Sequence, residues 1–516
     1  MSGALARLAS AAGLQLEWYG GDQAHAAVPG AEFSELVSAL ARRATLSDLF
    51  ATTTIKTPPR LTAVLQVADD PAWLLLTADL ESTRFASLTA QVHAASWYER
   101  EIFEMHGLEP VGHPALGPLR LHHRPEDQPP VPDGRGETAA VPSRINSRRR
   151  TPSVTGQGVF QLPLGPVRSG PQESAEFLFY SGGEDIVEVD LRLGFKYRAI
   201  ELLAEGLRAD QAIQLAERLA GTSAFANGLA FTRAVERVSG VDVSPVAEST
   251  RALLGEVERL HNHFGSIARL AEATGLLVAA AQYGLLKEET LRTAGRLCGH
   301  RYLRGVLRVG GVQVVPGADA RAQLQAQIGD WTQRSDRLTR LLEQTSTFLD
   351  RLDTTAVLLP DYASEHNLVG PVGRASGIDR DVRRDHPYAA YGSVEFDVPT
   401  VADGDAEARF QVFSRELKQS LGIIRQLLEH WPADREEPGV TAWHEGSALG
   451  WAEAPGGECL HWVDLDGQGR LLRWRARPPA VVNWHPFAHA CGSGNNLTDY
   501  PVIEASFSIS AAEFDR

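Results

Sequence analysis

Apolar positions recur along this chain with two different periods, and the switches between them mark out its elements. Residues 31–46, AEFSELVSALARRATL, carry apolar side chains at helical spacing and predict an amphipathic helix. Residues 61–80, LTAVLQVADDPAWLLLTADL, hold two apolar runs around the turn-forming Asp69-Asp70-Pro71, which predicts a pair of strands. Residues 81–107 return to a helical pattern that stops at Gly107. A hairpin is predicted in FLFYSGGEDIVEVDLRLG, 177–194, where Gly182-Gly183 separates two alternating runs. Long helical patterns follow over Tyr197–Ala230, Val246–Thr274, Lys287–Cys298, Ala320–Leu352 and Glu407–Glu429, before strand-like alternation returns over His461–Arg477. The class is α+β: a small α+β domain over 1–124, a linker over 125–160, and a large, mainly helical domain with peripheral β hairpins over 161–516.

The linker rests on composition. From Pro125 to Gln157 the chain is rich in Pro, Gly, Ser and Arg with few apolar residues. Its Arg148–Arg150 run reads as a solvated tract. The whole chain has 516 residues, with 65 Asp and Glu against 50 Lys and Arg, a formal charge of −15 that argues against a nucleic-acid partner. No stretch approaches the roughly 20 apolar residues that span a bilayer, and the most apolar window, 275–286, is interrupted by Gln282 and Gly284. The N-terminus has no long apolar run or cleavage signal, so no secretion is expected.

Candidate chemistry is sparse. The chain has three cysteines, Cys298, Cys459 and Cys491, and no CxxC, which fits a reducing cytoplasm and excludes the usual four-thiolate iron–sulfur site. GxxxxGK[ST], GxSxG and HExxH are absent, and the GxG at Gly492–Gly494 is too short to mark a nucleotide loop. His261 and His263, two apart on a helix, diverge and make no metal pair.

Longer motifs carry a resemblance. WYEREIFEMHGLEPVGHP, Trp97 to Pro114, resembles the signature of the C-type subunit of bacterial NADH:quinone oxidoreductase (complex I). Such a motif suits docking, with Trp97 and Tyr98 as anchors and Glu99, Arg100 and Glu101 as polar contacts. EVERLHNH (256–263), GPVGRASGIDRDVRRDHPYAAY (370–391), GWAEAPGGECLHW (450–462), LLRWRARPPAVVNW (471–484) and DYPVIEASFSISAAEFDR (499–516) resemble the D-type subunit of complex I. They resemble still more the large subunit of formate-hydrogenlyase-type (group 4) [NiFe] hydrogenases, which carry a C-like domain in front.

The resemblance implies a site and a set of departures from it. In the hydrogenases two CxxC pairs hold nickel and iron, because soft thiolates suit these metals. The matching places here are Ala220 and Ser223 in ERLAGTSAFAN, with Asn227 at the following His place, and Ser510 and Glu513 in SISAAEFDR. All four thiols are missing, and Gly456 stands where the family has an arginine over the metals. Hydrogen chemistry is therefore not expected, and this chain should bind no cofactor of its own. The Tyr and His that hold the quinone headgroup in complex I match Gly221 and Glu176, neither of which can donate as they do. Arg218 matches the arginine beside the terminal cluster of the family, and His263 the histidine whose proton follows the electron there. In GRASGIDRDVRRDHPY, Arg374, Asp381 and Arg383 are expected to form buried ion pairs that specify geometry.

The function implied is that of a hydrophilic peripheral-arm subunit of a membrane-bound respiratory oxidoreductase, on the cytoplasmic side of the inner (plasma) membrane. Its implied partners are a small iron–sulfur subunit with a 4Fe-4S cluster, other iron–sulfur subunits of the peripheral arm, and integral membrane ion-pumping subunits. Two alternatives stand beside it: a quinone-reducing site of modified design, and a non-catalytic scaffold. An active hydrogenase is the third reading and the least compatible with the missing thiols.

Overall fold

The computed structural model describes residues 3–19, 21–53, 57–120, 154–168, 173–433 and 442–516. Most of the linker, including Arg148–Arg150, lies outside the described residues.

The first domain opens with α1 (Ala4–Ala11), β1 (Glu17–Tyr19) and β2 (Gln23–Ala27), followed by α2 (Phe33–Leu40) and β3 (Ala44–Thr52). The hairpin β4 (Arg60–Val67) and β5 (Trp73–Asp79) falls where the two apolar runs predict it, and β6 (Arg84–Ala86), α3 (Ser96–His106) and β7 (Glu109–Val111) follow. The first five strands form one sheet ordered β1-β2-β5-β4-β3, antiparallel except for the parallel β2/β5 pair. Two expectations need correction. The helix read over 31–46 stops at Leu40, because ATLSDLFAT pairs along its length with β4 as a strand. The helical reading of 81–107 holds only from Ser96, because Arg84–Ala86 pairs in parallel with Glu109–Val111. Its end is as expected, with Gly107 in the left-handed region at φ 69°.

The large domain starts with the three-stranded sheet β8 (Val159–Leu164), β9 (Glu176–Gly182) and β10 (Asp185–Arg192), β9 and β10 being the predicted hairpin. β8 begins inside the stretch read as linker. Tyr197–Ala230 is not one helix but α4 (Ile200–Ala204), α5 (Ala209–Ala216) and α6 (Ala224–Ser239), interrupted around Gly206 and over 217–223. α7 (Pro245–Ala273) begins where Ser244 caps Ala247 N–H and Pro245 occupies the first turn. α8 (Leu277–Cys298) takes in the apolar window at its start, ten residues earlier than expected, and the small ribbon β11 (Leu307–Arg308) and β12 (Gly311–Val312) follows. Ala320–Leu352 divides at Gln344 and Thr345 into α9 (Ala318–Glu343) and α10 (Ser346–Leu352). Short helices α11 (Pro360–Glu365), α12 (Gly370–Arg374) and α13 (Val382–Asp385) lead to α14 (Ala406–Glu429). The antiparallel sheet β13 (Gly446–Ala454), β14 (Gly457–Leu465) and β15 (Leu471–Arg477) precedes α15 (Ala480–Asn483), α16 (Phe487–Gly492), α17 (Tyr500–Phe507) and α18 (Ala511–Asp515).

α6, α7, α8, α9 and α14 pack into the helical centre, and β13–β15 cover α6. That contact is close because Gly450 of β13 has no side chain: a β-carbon there would overlap the Ala230 carbonyl of α6. The N-terminal sheet is buried on both faces. Phe50, Val64, Trp73 and Leu75 join the core of the helical centre, whereas Leu49, Leu65, Leu74 and Leu76 join the core that contains α15–α18. Polar clamps fix the seat: the Gln23 amide exchanges two hydrogen bonds with the Leu449 backbone, and Arg475 grips Asp48 at 2.9 and 3.0 Å and Glu101 at 2.8 Å.

Candidate functional site

The loop 217–223 and the C-terminal α18 meet at the N-terminal end of α6, and the residues expected at the family's metal positions meet there too. Ser223 bonds directly to Glu513, both buried. Ser510 donates to Glu173 at 2.8–2.9 Å and caps α18 by accepting from Glu513 N–H. Ala220 is buried and offers only a methyl group.

A directional chain of donors runs into this contact. Trp474 Nε1–H can only donate, and it lies 3.0 Å from His461 Nδ1, so that nitrogen carries the lone pair. Burial holds His461 neutral, lowering its pKa to about 3. Its Nε2–H therefore donates to Asn227 Oδ1 at 3.1 Å, as does the Cys459 thiol. That orients the Asn227 amide, whose Nδ2 donates to Ser223 O and Oγ at 2.9 Å. Behind the loop, Glu258 of α7 accepts the first N–H groups of α6, Phe225 at 2.7 Å and Ala226 at 3.0 Å. Burial pushes Glu258 up to about 8 and Glu513 to about 7, the latter also raised by Glu173 and eased down by Ser223.

A nickel–iron pair does not fit this donor set. The four positions offer one methyl, two hydroxyls and one carboxylate, and the three polar ones are already spent on each other, Asn227 and Glu173. Among the described residues no group of three or more His, Cys, Asp or Glu side chains is placed to hold a metal ion.

Beside the contact lies a chamber of about 20 Å³, lined by Ser223, His263, Gly456, Ser510 and Glu513 among others. This is room for about one water and far below the several hundred Å³ of a ligand pocket. His263 reaches it from α7, fully buried, with Nε2 2.7 Å from Glu416 of α14. Burial lowers the His263 pKa, and Glu416 partly offsets that. His261 turns away toward Tyr302, as the two-residue spacing requires.

The other expected residues stand apart from this lining. Arg218 is exposed and donates to Gln214 O at 2.6 Å; burial, then Arg304 and Arg218, lower the pKa of nearby His300. Arg198 ties the Arg218 and Leu219 carbonyls to that of Ala512 with bonds of 2.7 Å, so the loop moves with α18. Gly221 is exposed, with open space where a side chain would stand. Glu176, at the start of β9, faces Arg192 of β10 at 3.6 Å.

Behind His263 is the ion network, larger than Arg374, Asp381 and Arg383. Arg374 contacts Glu416 at 2.8 Å, Glu453 at 2.9 Å and Asp381 at 3.3 Å. Arg383 contacts Asp381 at 2.6 Å and Glu256 at 3.0 Å, and Glu256 also accepts from Tyr391 and Ser420 at 2.6 Å. All these ionic side chains are buried. Glu416 and Glu453 are not among the residues expected from the sequence: Glu416 lies in no motif, and the motif that holds Glu453, 450–462, gives no sign of its distant partners. The docking motif of the first domain also acquires a definite partner: Glu101 binds Arg120, Arg475 and Arg516, and Trp97 stacks on His485 with ring centres 5.0 Å apart. Glu99 instead turns inward, accepting from Ser87, Leu88 and Thr89 of its own domain.

Comparison with known proteins agrees with this arrangement. Residues 26–132 match the respiratory-chain NADH dehydrogenase 30 Kd subunit family, and residues 275–444 and 439–516 match the 49 Kd subunit family. Formate hydrogenlyase subunit 5 of Escherichia coli is 30% identical over 84% of this chain and 78% of its own length. Hydrogenase-4 component G of the same organism is 30% identical over 85% and 77%. The C/D subunit of NADH-quinone oxidoreductase from Bdellovibrio bacteriovorus is 25% identical over 82% and 81%. No helix among the described residues is long and apolar enough to cross a membrane. A 30 Kd-type domain seated through buried ion pairs on a 49 Kd-type domain places this chain in the fused C/D family of complex I and the formate-hydrogenlyase-type hydrogenases, as a member without the metal-binding cysteines.

Proposed function

We propose that this chain is a peripheral-arm subunit of a complex I-like respiratory oxidoreductase that docks an iron–sulfur small subunit at the face carrying Arg218, without a nickel–iron site. The observation that carries the reading is the Ser223–Glu513 contact: it closes the loop on α18, where the resemblance to the hydrogenases implies thiolates, and leaves the surrounding scaffold in place. His263 forms part of the inner wall of the chamber that would lie next to the partner's terminal cluster, and the ion network stands behind it. Exposed Arg218, with half-buried Arg304 nearby, supplies a cationic rim suited to a reduced, more negative partner. Electrons would pass through the partner subunits, with membrane ion-pumping subunits completing the complex. The C/D subunit of NADH-quinone oxidoreductase and formate hydrogenlyase subunit 5 are named as parts of such assemblies.

Co-purification of the complex, followed by redox titration of the partner's cluster across pH, tests this. Replacing His263 with Ala should abolish the pH dependence of that potential, and Arg218→Ala should lower the potential and weaken small-subunit retention. An unchanged slope and unchanged retention would refute the reading. Within this chain alone the chamber holds about one water, so a quinone headgroup would need room contributed by the partner subunit. The scaffold reading requires that Glu176, Arg218 and His263 variants leave turnover unchanged while the complex still assembles.

A further inference from the structure

We infer that Glu416 is a positioning residue that fixes the tautomer of His263, placing the ring proton on Nε2 and leaving Nδ1 as the nitrogen that can accept another. The geometry of this chain sets the tautomer; its consequence for a partner's cluster rests on the function proposed above.

Glu416 sits between two donors. Its Oε1 accepts from Arg374 Nε at 2.8 Å and its Oε2 lies 2.7 Å from His263 Nε2. All three side chains are buried. Arg374 is itself held by Glu453 at 2.9 Å and Asp381 at 3.3 Å, so the guanidinium cannot turn away. Burial alone would raise the Glu416 pKa, but Arg374, the His263 bond and Arg259 together hold it well below the usual carboxylate range. An ionised carboxylate has no proton to give. The hydrogen in the 2.7 Å contact therefore belongs to His263.

A ring locked in this way takes its second proton at Nδ1 without turning over, and the resulting imidazolium finds its counter-ion already in place. The charged and titratable groups around it are Glu416 on α14, Arg374 on α12, Arg259 and His261 on its own helix, and Glu513 on α18 across the chamber. Phe413 of α14 lies 5.2 Å from the ring centre and limits its tilt.

The substitution Glu416→Gln gives a sharp test, because the introduced amide keeps the shape but has one acceptor end. Arg374 Nε–H requires that acceptor, so the amide NH₂ must face His263 Nε2, and the imidazole proton must move to Nδ1. Nitrogen-15 NMR of the full chain labelled at histidine reads the tautomer directly, with His263→Gln identifying the resonance. The expected result is the Nε2–H form in the unaltered chain and the Nδ1–H form in the Glu416→Gln chain. An Nδ1–H form in the unaltered chain overturns the inference even if the variant fails to fold, and so does a variant whose tautomer is unchanged. In the assembled complex, Glu416→Gln should move the onset of the pH-dependent potential down by about one pH unit or more, since it removes a charge within hydrogen-bond range. Loss of pH dependence in His263→Ala with no change in Glu416→Gln would overturn the positioning role. No change in either variant, with the tautomer as expected, would overturn the proposed function and leave the tautomer assignment standing.

Discussion

Replacing Glu513 with Gln should make the join between α18 and the α6 loop more stable at alkaline pH and abolish much of its pH sensitivity. The magnitude follows from the carboxyl group's surroundings. Burial raises it from an ordinary 4.5 to about 7, with Glu173 adding to the rise and the Ser223 bond opposing it. A group raised on folding stabilises the fold fully below its unfolded pKa and loses that contribution as pH climbs through its folded value. The interval from 4.5 to about 7 corresponds to about 3 kcal/mol, at roughly 1.4 kcal/mol for each tenfold change. The loss is nearly complete at pH 8 and only begun at pH 5. A neutral amide at this position has no such term, yet can still accept from Ser223. Because a chain of this size does not unfold in one step, the local opening of the join is the proper quantity, read by native-state hydrogen exchange of peptides covering 511–516 and 220–228. The ratio of protection in the variant to that in the unaltered chain, which cancels the intrinsic pH dependence of exchange, should grow by close to two orders of magnitude between pH 5 and pH 8. A ratio that stays flat over that range would refute the assignment of Glu513 as a buried carboxyl held by Ser223.

Other expectations concern the domain seat, the core and the metals. Arg475→Met leaves buried Asp48 without its bidentate partner and should cost about 3–5 kcal/mol, whereas Arg475→Met with Asp48→Leu should recover most of that loss; native-state hydrogen exchange of peptides covering β3 and β15 in the four members of the cycle checks it. Gly450→Ala should destabilise the chain by more than about 3 kcal/mol or prevent folding, because the added carbon meets the Ala230 carbonyl; thermal unfolding of the soluble fraction measures this. Elemental analysis of the purified chain should find no stoichiometric nickel, and adding nickel and iron salts should not shift its melting temperature.

Much of this protein was legible without coordinates wherever a local rule suffices. The β4–β5 pair, the β9–β10 hairpin and α7 follow from period, turn residues and caps, because these are interactions between neighbours in the chain. The absence of any CxxC is likewise a fact of the sequence, and no folding could supply one. Elements whose identity depends on a distant partner were misjudged: ATLSDLF becomes β3 only because β4 is there to pair with it, and Arg84–Ala86 becomes β6 only beside β7. The site divides in the same way. Ser223, Ser510, Glu513 and His263 could be named from their motifs, but that the first and third bond to each other across 290 positions was a property of the fold alone. Glu416 carries no motif, and the motifs that hold Glu453, His461 and Asn227 say nothing of their distant partners; all four join the site because burial forces every ionic or polar group to find a partner wherever the chain brings one. Local interactions chose the elements; long-range pairing and the cost of unmatched buried polarity decided what those elements hold between them.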